Sequence, residues 1–313
     1  MRLTCFRRVS HGLYLRRADG LDDEAEFLRE LRAWLQVLPH GAVFTHLTAA
    51  RLRGWRLPAV PAQVPVFAAV HGAERRPRRP GLICSRLVEP PTGSAPVETR
   101  HDLPVDAAPE ILLRAARDLG VLDLVIMIDS ALEAGDLDPE GMESVLASGR
   151  PGVRVARTAY ELATALCESA GETVLRLFHQ QMDVVVEPQV ELYDAAGTFL
   201  GRADLLVPAL HAVHEYDGAV HRRAAQHRND LRRERGWSGT SYRRRGFVLD
   251  DLLNHPTVVM HELDRALERP HDVRRVQRWR QLVANSLYDE PGRSRTLNRW
   301  RRAMGFDDWS RTA

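Results

Sequence analysis

Acidic side chains stand close together on two short strand-like runs in the second half of the chain. Asp204 lies within the run 201–207, and Glu215 and Asp217 end the next run, 211–218. Because side chains alternate between the two faces of a strand, Glu215 and Asp217 are predicted to share one face. Three carboxylates in a small volume repel one another unless a divalent cation neutralises them. The spacing therefore predicts a site for a hard cation, Mg²⁺ or Mn²⁺.

An α-β-β-β-α-β segment is predicted to position these acids in one mixed sheet flanked by helices. Its strands are predicted over residues 184–192, 198–207 and 210–217, with a hairpin turn at 194–197. A helix over 219–235, a strand near 241–245 and helices over 248–254 and 257–267 follow. The fold class is therefore predicted to be α/β.

A long helix is predicted over residues 155–179, directly before these strands. Its glutamates Glu161, Glu168 and Glu172 differ by seven and four positions and would lie along one stripe. Solvated glutamates are the ordinary interpretation of such a stripe. The leucines of this helix instead favour a buried helix. From a buried helix next to the strands, Glu168 or Glu172 could reach the acid cluster as a further metal or water ligand. Both interpretations stay open.

The first segment, residues 1–150, is predicted to form a smaller α+β domain. A strand-like piece at Gly12–Arg16 and a helix over 22–37 precede a short helix that Thr48 would cap and Gly54 would end. A short helix after a short turn is compatible with a DNA-binding helix-turn-helix unit. It is equally compatible with many other small α/β domains.

The middle of the chain is predicted to contain a strand over 64–70 and helices over 108–134. Asp123 and Asp129 in the helical stretch are predicted to cap helices or pair with arginine rather than to bind metal. The turn Gly149–Gly152 is the predicted linker to the second domain.

Arginine supplies every basic side chain, because the 44 Lys and Arg residues of this 313-residue chain include no lysine. Mechanisms that need a lysine amine are therefore excluded. The net charge is only +2, but arginine crowds residues 222–245 and 274–302 whereas acids dominate 21–30 and 129–144. Such patches predict phosphate-bearing partners or, alternatively, solvated helix faces.

Three smaller basic segments carry the same alternatives. The loop Arg75–Pro80 could touch phosphate or be solvated, and its prolines prevent strand pairing. The runs Arg274–Arg280 and Arg299–Arg302 interleave tryptophan with arginine. That pattern suits contact with nucleic acid or an acidic protein, and equally an amphipathic helix packed by its tryptophans.

No apolar run approaches the roughly 20 residues of a membrane helix, and the N-terminus lacks the apolar core of a signal peptide. Cys5, Cys84 and Cys167 are far apart and odd in number, which fits a reducing compartment and offers no zinc spacing. We expect a cytoplasmic protein without membrane contact.

Residues 157–268 resemble the very-short-patch-repair (Vsr)-like branch of the PD-(D/E)XK endonuclease superfamily. The matching residues are Glu168–Glu172 with Arg176, Glu187–Glu191, Gly201–Asp204, Glu215–Gly218 with His221, and Asp230 with Gly236–Trp237. The first segment is similar, over Gly12–Tyr14 and Thr48–Gly54, to actinobacterial proteins related to abortive-infection (AbiEi-like) type IV antitoxins.

The resemblance implies three regions. Residues 1–150 would be a winged-helix or antitoxin-like regulatory or DNA-recognition region, and residues 151–270 a restriction-endonuclease-like domain. Residues 271–313 would be an arginine-rich helical extension.

The resemblance also implies roles for the acids. Asp204 would be the central metal ligand and Glu215 the second, with Glu172 and Glu168 as additional ligands. Gln189 would orient the attacking water.

Asp217 stands where the superfamily has its lysine, so the cation that would stabilise the pentavalent phosphorane is missing. His221 could substitute as general acid or base, although a surface histidine is the ordinary alternative.

The activity implied is Mg²⁺- or Mn²⁺-assisted hydrolysis of DNA phosphodiester bonds, in repair or phage defence. Arginines of the helix after the acids would hold the DNA backbone. They are Arg222, Arg223, Arg228, Arg232, Arg233 and Arg235.

The runner-up is a DNA-binding regulator of antitoxin type whose nuclease-like fold has lost catalysis. The missing lysine favours the regulator, and the retained acids favour the enzyme. A purely structural interaction module would leave the acid cluster unexplained. A homodimer, and a toxin or defence-system partner, stay open.

Overall fold

The structure, a computed structural model, describes residues 5–72, 74–87, 98–194, 196–218 and 242–304. The described chain is mixed α/β, as predicted. It divides into two compact units. Unit 1 comprises residues 1–161 and 285–313, and unit 2 comprises residues 162–284. Unit 2 therefore interrupts the sequence of unit 1.

Unit 1 contains a two-stranded hairpin and a five-stranded mixed sheet. The hairpin pairs β1 (Phe6–Ser10) with β2 (Leu13–Arg16) in antiparallel fashion. The sheet strands are β3 (Val43–Phe44), β4 (Val66–Val70), β5 (Leu82–Arg86), β6 (Glu98–Arg100) and β7 (Leu103–Val105). Their order is β5-β4-β3-β7-β6, with β4–β5 and β3–β7 parallel and the other pairs antiparallel.

Helices pack around this sheet. None of the helices that the structure describes, in either unit, is long and apolar enough to cross a membrane. The first six are α1 (Asp23–Leu35), α2 (His46–Leu52), α3 (Ala108–Ala115), α4 (Val121–Glu133), α5 (Pro139–Ala147) and α6 (Val153–Glu161). The predicted capping role of Asp123 is confirmed, because its Oδ2 accepts from the Gly120 N–H at 3.1 Å at the start of α4. Burial raises the pKa of Asp123 to about 7.

Helix α2 differs from the predicted helix in its start and its exposure. It begins at His46, with Thr45 at the N-cap position, and Gly54 ends it with φ of +73° as expected. Thr48 does not cap it; its hydroxyl accepts from the Phe67 N–H of β4 at 2.9 Å. All of α2 except Arg51 is buried. This helix therefore cannot read a DNA groove, which argues against a helix-turn-helix role for it.

Unit 2 contains a four-stranded mixed sheet with helices before and after it. Helix α7 (Ala170–Gln181) precedes strands β8 (Glu187–Tyr193), β9 (Phe199–Val207), β10 (Ala212–Tyr216) and β11 (Arg243–Phe247). Helices α8 (Leu249–Leu253), α9 (Pro256–Ala266) and α10 (Val273–Val283) follow. The order is β11-β10-β9-β8, with β11 parallel to β10 and the other pairs antiparallel. The helix predicted over 219–235 lies outside the described residues.

The long helix predicted over 155–179 is wrong: α6 and α7 are separate, and α7 begins afresh where Ser169 caps it by accepting from the Glu172 N–H at 3.1 Å. Arg176 of α7, only 3% exposed, donates to the Leu162 carbonyl at 2.9 Å and to Cys167 Sγ at 3.2 Å. These bonds stabilise the non-helical segment between the helices. The predicted glutamate stripe therefore does not exist.

The predicted boundaries at residues 150 and 270 also differ from the observed units. The turn 149–152 lies inside unit 1, because α6 packs against α4. The last described helix, α11 (Glu290–Met304), belongs to unit 1 as well. Its Trp300 is fully buried and donates to Asp118 at 3.0 Å. Residues 285–313 therefore belong to unit 1, which is the larger of the two units.

Candidate functional site

Strand β10 directs its side chains to the two faces of the sheet in unit 2. His214 and Tyr216 face α7: His214 Nδ1 lies 2.8 Å from His179 Nε2, and the Tyr216 ring occupies the space where a Cβ on Gly171 would stand. Gly171 is required there because any side chain would overlap the ring. Alternation then directs Glu215 to the opposite face.

Glu215 and Asp217 lie on the same face, as their spacing predicts. Gly246 of β11 pairs with Glu215 in the parallel register, so these two positions point to one side of the sheet. The Asp217 carboxylate occupies the space that a Cβ on Gly246 would need. Asp217 therefore covers β11 on the side where Glu215 lies.

Asp204 lies on β9 beside Glu215. Leu205 pairs with His214 in the antiparallel register, and the next step brings Asp204 opposite Glu215. Its Oδ2 accepts from the Tyr216 N–H at 3.0 Å. Directly opposed side chains in such a pair have Cβ atoms about 4.5–5.5 Å apart, so the two carboxylates can reach one small cation.

Arg244 of β11 forms an ion pair with Glu215, and both side chains are partly buried. The parallel register places Arg244 beside Val213, two residues before Glu215. The sequence predicts a strand near 241–245 but does not single out Arg244, because the pairing of β10 with β11 cannot be deduced from either strand alone.

Glu172 and Gln189 form a second polar group. Glu172 is 9% exposed, and its Oε2 accepts from the Gln189 side-chain amide and from the Glu168 N–H, each at 2.8 Å. Gln189 lies on β8 between Pro188 and Val190, which pair with Leu205 and Ala203 of β9, and it has φ of +56°. A left-handed conformation is uncommon for a residue other than glycine and marks a strained position. The Glu172 bond thus fixes a strained residue of β8, the strand that neighbours the Asp204 strand β9.

The four predicted metal ligands are therefore divided between two places. Asp204 and Glu215 adjoin, whereas Glu172 binds Gln189 and Glu168 forms a surface ion pair with Arg202 at 2.6 Å. Within the ranges that the structure describes, no three or more His, Cys, Asp or Glu side chains are grouped to hold a metal ion.

His221 and the arginines predicted to hold DNA fall outside the described residues. Those arginines are Arg222, Arg223, Arg228, Arg232, Arg233 and Arg235.

Two buried histidines support β10 from the α7 side. His179 Nδ1 lies 2.8 Å from the Leu175 carbonyl, which can only accept, so this nitrogen carries the proton. His179 Nε2 then accepts from His214 Nδ1. Burial, and to a lesser degree Arg245, lowers the pKa of His179 to about 4. Burial, His179 and Arg245 lower the pKa of His214 to about 3.

This pair is expected to make the stability of unit 2 depend on pH. Because the folded pKa values lie below the ordinary value of 6.5, the unfolded chain binds protons more tightly. The stabilisation is complete above pH 6.5 and is lost as the pH falls toward 4. The lowered pKa of His179 alone would reduce the free energy of unfolding by about 3 kcal/mol as the pH falls across that range. Urea denaturation of the whole chain at several pH values measures it.

The double variant His179→Leu, His214→Leu is the control for this pH dependence. It should show a shallower fall in stability between pH 6.5 and 4 than the unchanged chain. Imidazole NMR signals of the unchanged chain give the two pKa values directly. Titration of both histidines near 6.5 would contradict their neutral, buried state.

No protein-family model, curated protein or solved structure matches this chain. What the site can do therefore follows from its own side chains: two adjacent carboxylates, a guanidinium on one of them, and an amide fixed by Glu172 on the strand next to the other.

Proposed function

We propose that unit 2 is a metal-dependent DNA endonuclease domain that hydrolyses phosphodiester bonds, as its resemblance to the Vsr-like PD-(D/E)XK branch implies. The observation that carries the proposal is the adjacent pair Asp204 and Glu215 on one face of strands β9 and β10. Gln189 and Arg244 flank this pair on the neighbouring strands.

The donor set fits the metal. Mg²⁺ prefers oxygen ligands and is commonly held by one or two carboxylates, with water and substrate phosphates completing its shell. Asp204 and Glu215 are such a pair, so a third acid is not required. Mg²⁺ or Mn²⁺ held there would lower the pKa of a bound water and polarise the scissile phosphate.

Arg244 would supply the positive charge that the superfamily's lysine provides and that Asp217 lacks. A guanidinium stays protonated and has five N–H donors in a planar fork. One that is held by Glu215 can therefore also donate to a phosphoryl oxygen of the substrate. Its charge would stabilise the negative charge that develops in the transition state.

Gln189 would orient the attacking water. Its Nε2 donates to Glu172, which fixes the side-chain amide and determines where its Oε1 points. That oxygen can accept from a water O–H beside Asp204. Glu172 then acts as a positioning residue for Gln189 rather than as a metal ligand.

A second candidate function is a DNA-binding regulator of antitoxin type that has lost catalysis. The observation that favours it is the same Arg244–Glu215 ion pair, because a guanidinium already neutralises one of the two acids. In that case the positive charge of Arg244 neutralises Glu215 in place of a metal ion, instead of assisting a metal ion in catalysis.

Incubation of the whole chain with single-stranded, duplex and mismatched DNA, and with RNA of the same sequences, tests the two functions. Each substrate is combined with Mg²⁺, Mn²⁺ or EDTA. Cleavage of DNA that needs a metal would support the nuclease. DNA binding without cleavage under any metal condition would favour the regulator, and cleavage of RNA alone would reject the DNA assignment.

A further inference from the structure

The basic loop Arg75–Pro80 and helix α11 of unit 1 have no role in the proposed nuclease site. Together with β5 and α3 they line three cavities of about 810, 570 and 390 Å³. The first two cavities share Arg76, and the last two share Arg117 and Arg299. Because they share these side chains, the three cavities lie next to one another along unit 1, and together we call them the unit 1 groove.

Arginine dominates the lining of the unit 1 groove. The first cavity is lined almost entirely by Arg8, His11 and the loop Arg75–Pro80. Among the described residues that line the three cavities, Asp118 is the one carboxylate. The groove is therefore strongly electropositive even though the whole chain has a net charge of only +2.

Backbone carbonyls hold several of these guanidiniums in place. Arg79 donates to the His11 carbonyl at 2.5 Å, and Arg86 donates to the carbonyls of Gly72 at 2.6 Å and His71 at 3.0 Å. A carbonyl orients a guanidinium without cancelling its charge. These arginines are therefore positioned for an anion in advance of binding, which lowers the entropy cost of contact.

Other arginines of the wall are neutralised and give structure rather than net charge. Arg114 donates to Asp106 at 2.8 Å, and Arg150 donates to Glu110 at 2.7 Å. Arg299 of α11 forms an ion pair with Asp118 at 3.3 Å. The electropositive character thus comes from the loop, from Arg86, and from Arg117, Arg295 and Arg302 at the α11 end of the groove. It is spread along the groove instead of being focused on one point.

This distribution suits a chain of phosphates better than a single anion. Two aromatic side chains, Phe67 and Trp300, line the cavity of about 570 Å³ and are 2% and 0% exposed. They therefore present no open ring face for a base to stack on. Contacts in the groove would therefore go to phosphates, which gives affinity with little sequence preference.

We propose that the unit 1 groove binds the phosphodiester backbone of a nucleic acid. This binding is independent of cleavage by unit 2, and it gives the loop Arg75–Pro80 and the run Arg299–Arg302 a common partner. Its location differs from the helix-turn-helix surface that the sequence suggested, since α2 is buried and the groove is built from other elements.

The test measures binding of labelled single-stranded and duplex oligonucleotides by fluorescence anisotropy, in EDTA and in an Asp204→Ala background. Cleavage then contributes nothing to the result. The triple variant Arg76→Gln, Arg117→Gln, Arg302→Gln removes exposed arginines along the groove. It should bind at least tenfold more weakly, and the slope of log K against log salt should fall by about 2 to 3 for duplex or about 2 for single strands.

The matched control, Arg16→Gln, Arg17→Gln, Arg32→Gln, removes the same charge from exposed arginines of unit 1 outside the three cavities. It should weaken binding no more than about threefold. Equal losses in both triple variants, or no nucleic-acid binding by the unchanged chain, would overturn the proposal. So would displacement of the oligonucleotide by AMP at equal phosphate concentration, because that outcome indicates a site for one small anion.

Discussion

Asp204→Asn is expected to lower the rate of metal-dependent DNA cleavage about 10³-fold or more, because a ligand that contributes several kcal/mol of transition-state stabilisation is lost. Asparagine has the same shape, and its carbonyl oxygen can still accept from the Tyr216 N–H. The strand pairing and the fold should therefore survive. Glu215→Gln should have a similar effect on the rate. Single-turnover cleavage with saturating enzyme separates this effect on chemistry from any effect on DNA binding.

Glu187→Gln is the matched control for the two acid variants, because Glu187 is an exposed acid on β8 of the same sheet. It should leave the cleavage rate within about threefold of the unchanged chain, as is usual for a surface substitution away from the chemistry. Mn²⁺ binding, followed by electron paramagnetic resonance, gives a readout that does not depend on cleavage. If Asp204→Asn and Glu215→Gln both cut DNA at the unchanged rate, the adjacent carboxylates are not the site.

Arg244→Gln is expected to reduce the cleavage rate about 10²-fold, the size of effect seen when one donor to a developing negative charge is removed. The loss should appear in the single-turnover rate more than in DNA affinity, because the charge is needed mainly in the transition state. Arg244→Lys should restore part of the rate, since it returns the positive charge without the planar fork.

Arg245→Gln provides the comparison for Arg244, since the two arginines are neighbours on β11. Arg245 forms an ion pair with Glu262 and lies over the Phe247 ring at 4.6 Å, away from Glu215. Its loss should leave the cleavage rate nearly unchanged. A faster Arg244→Gln enzyme would reverse the assignment, because it would show that the guanidinium competes with the metal for Glu215.

The sheet of unit 2 could be predicted from the sequence because its information is local. Alternating apolar residues define β9 and β10, and the turn between β8 and β9 is specified by Gly197 with φ of +80° and by Asp194, which accepts from the N–H groups of Ala196 and Thr198. The placement of Glu215 and Asp217 on one face follows from the strand period alone. These features need no knowledge of distant contacts.

Other features depend on contacts between residues far apart in the chain. The break between α6 and α7 is stabilised by Arg176, whose bonds to Leu162 and Cys167 cannot be inferred from helical spacing. The position of Arg244 beside Glu215 depends on the register of a parallel pair whose strands are separated by residues 217–242. The burial of α2 is set by the strands and helices around it, which its own seven residues do not specify.

The interruption of unit 1 by unit 2 sets an order for biosynthesis. All of unit 2 has been synthesised once residue 284 is added, whereas unit 1 still lacks Trp300, which is fully buried in it. Domains generally fold as units while the chain is being made. Unit 2 is therefore expected to mature first, and residues 5–161 must wait for the final helix before their apolar interior is shielded from chaperones and proteases.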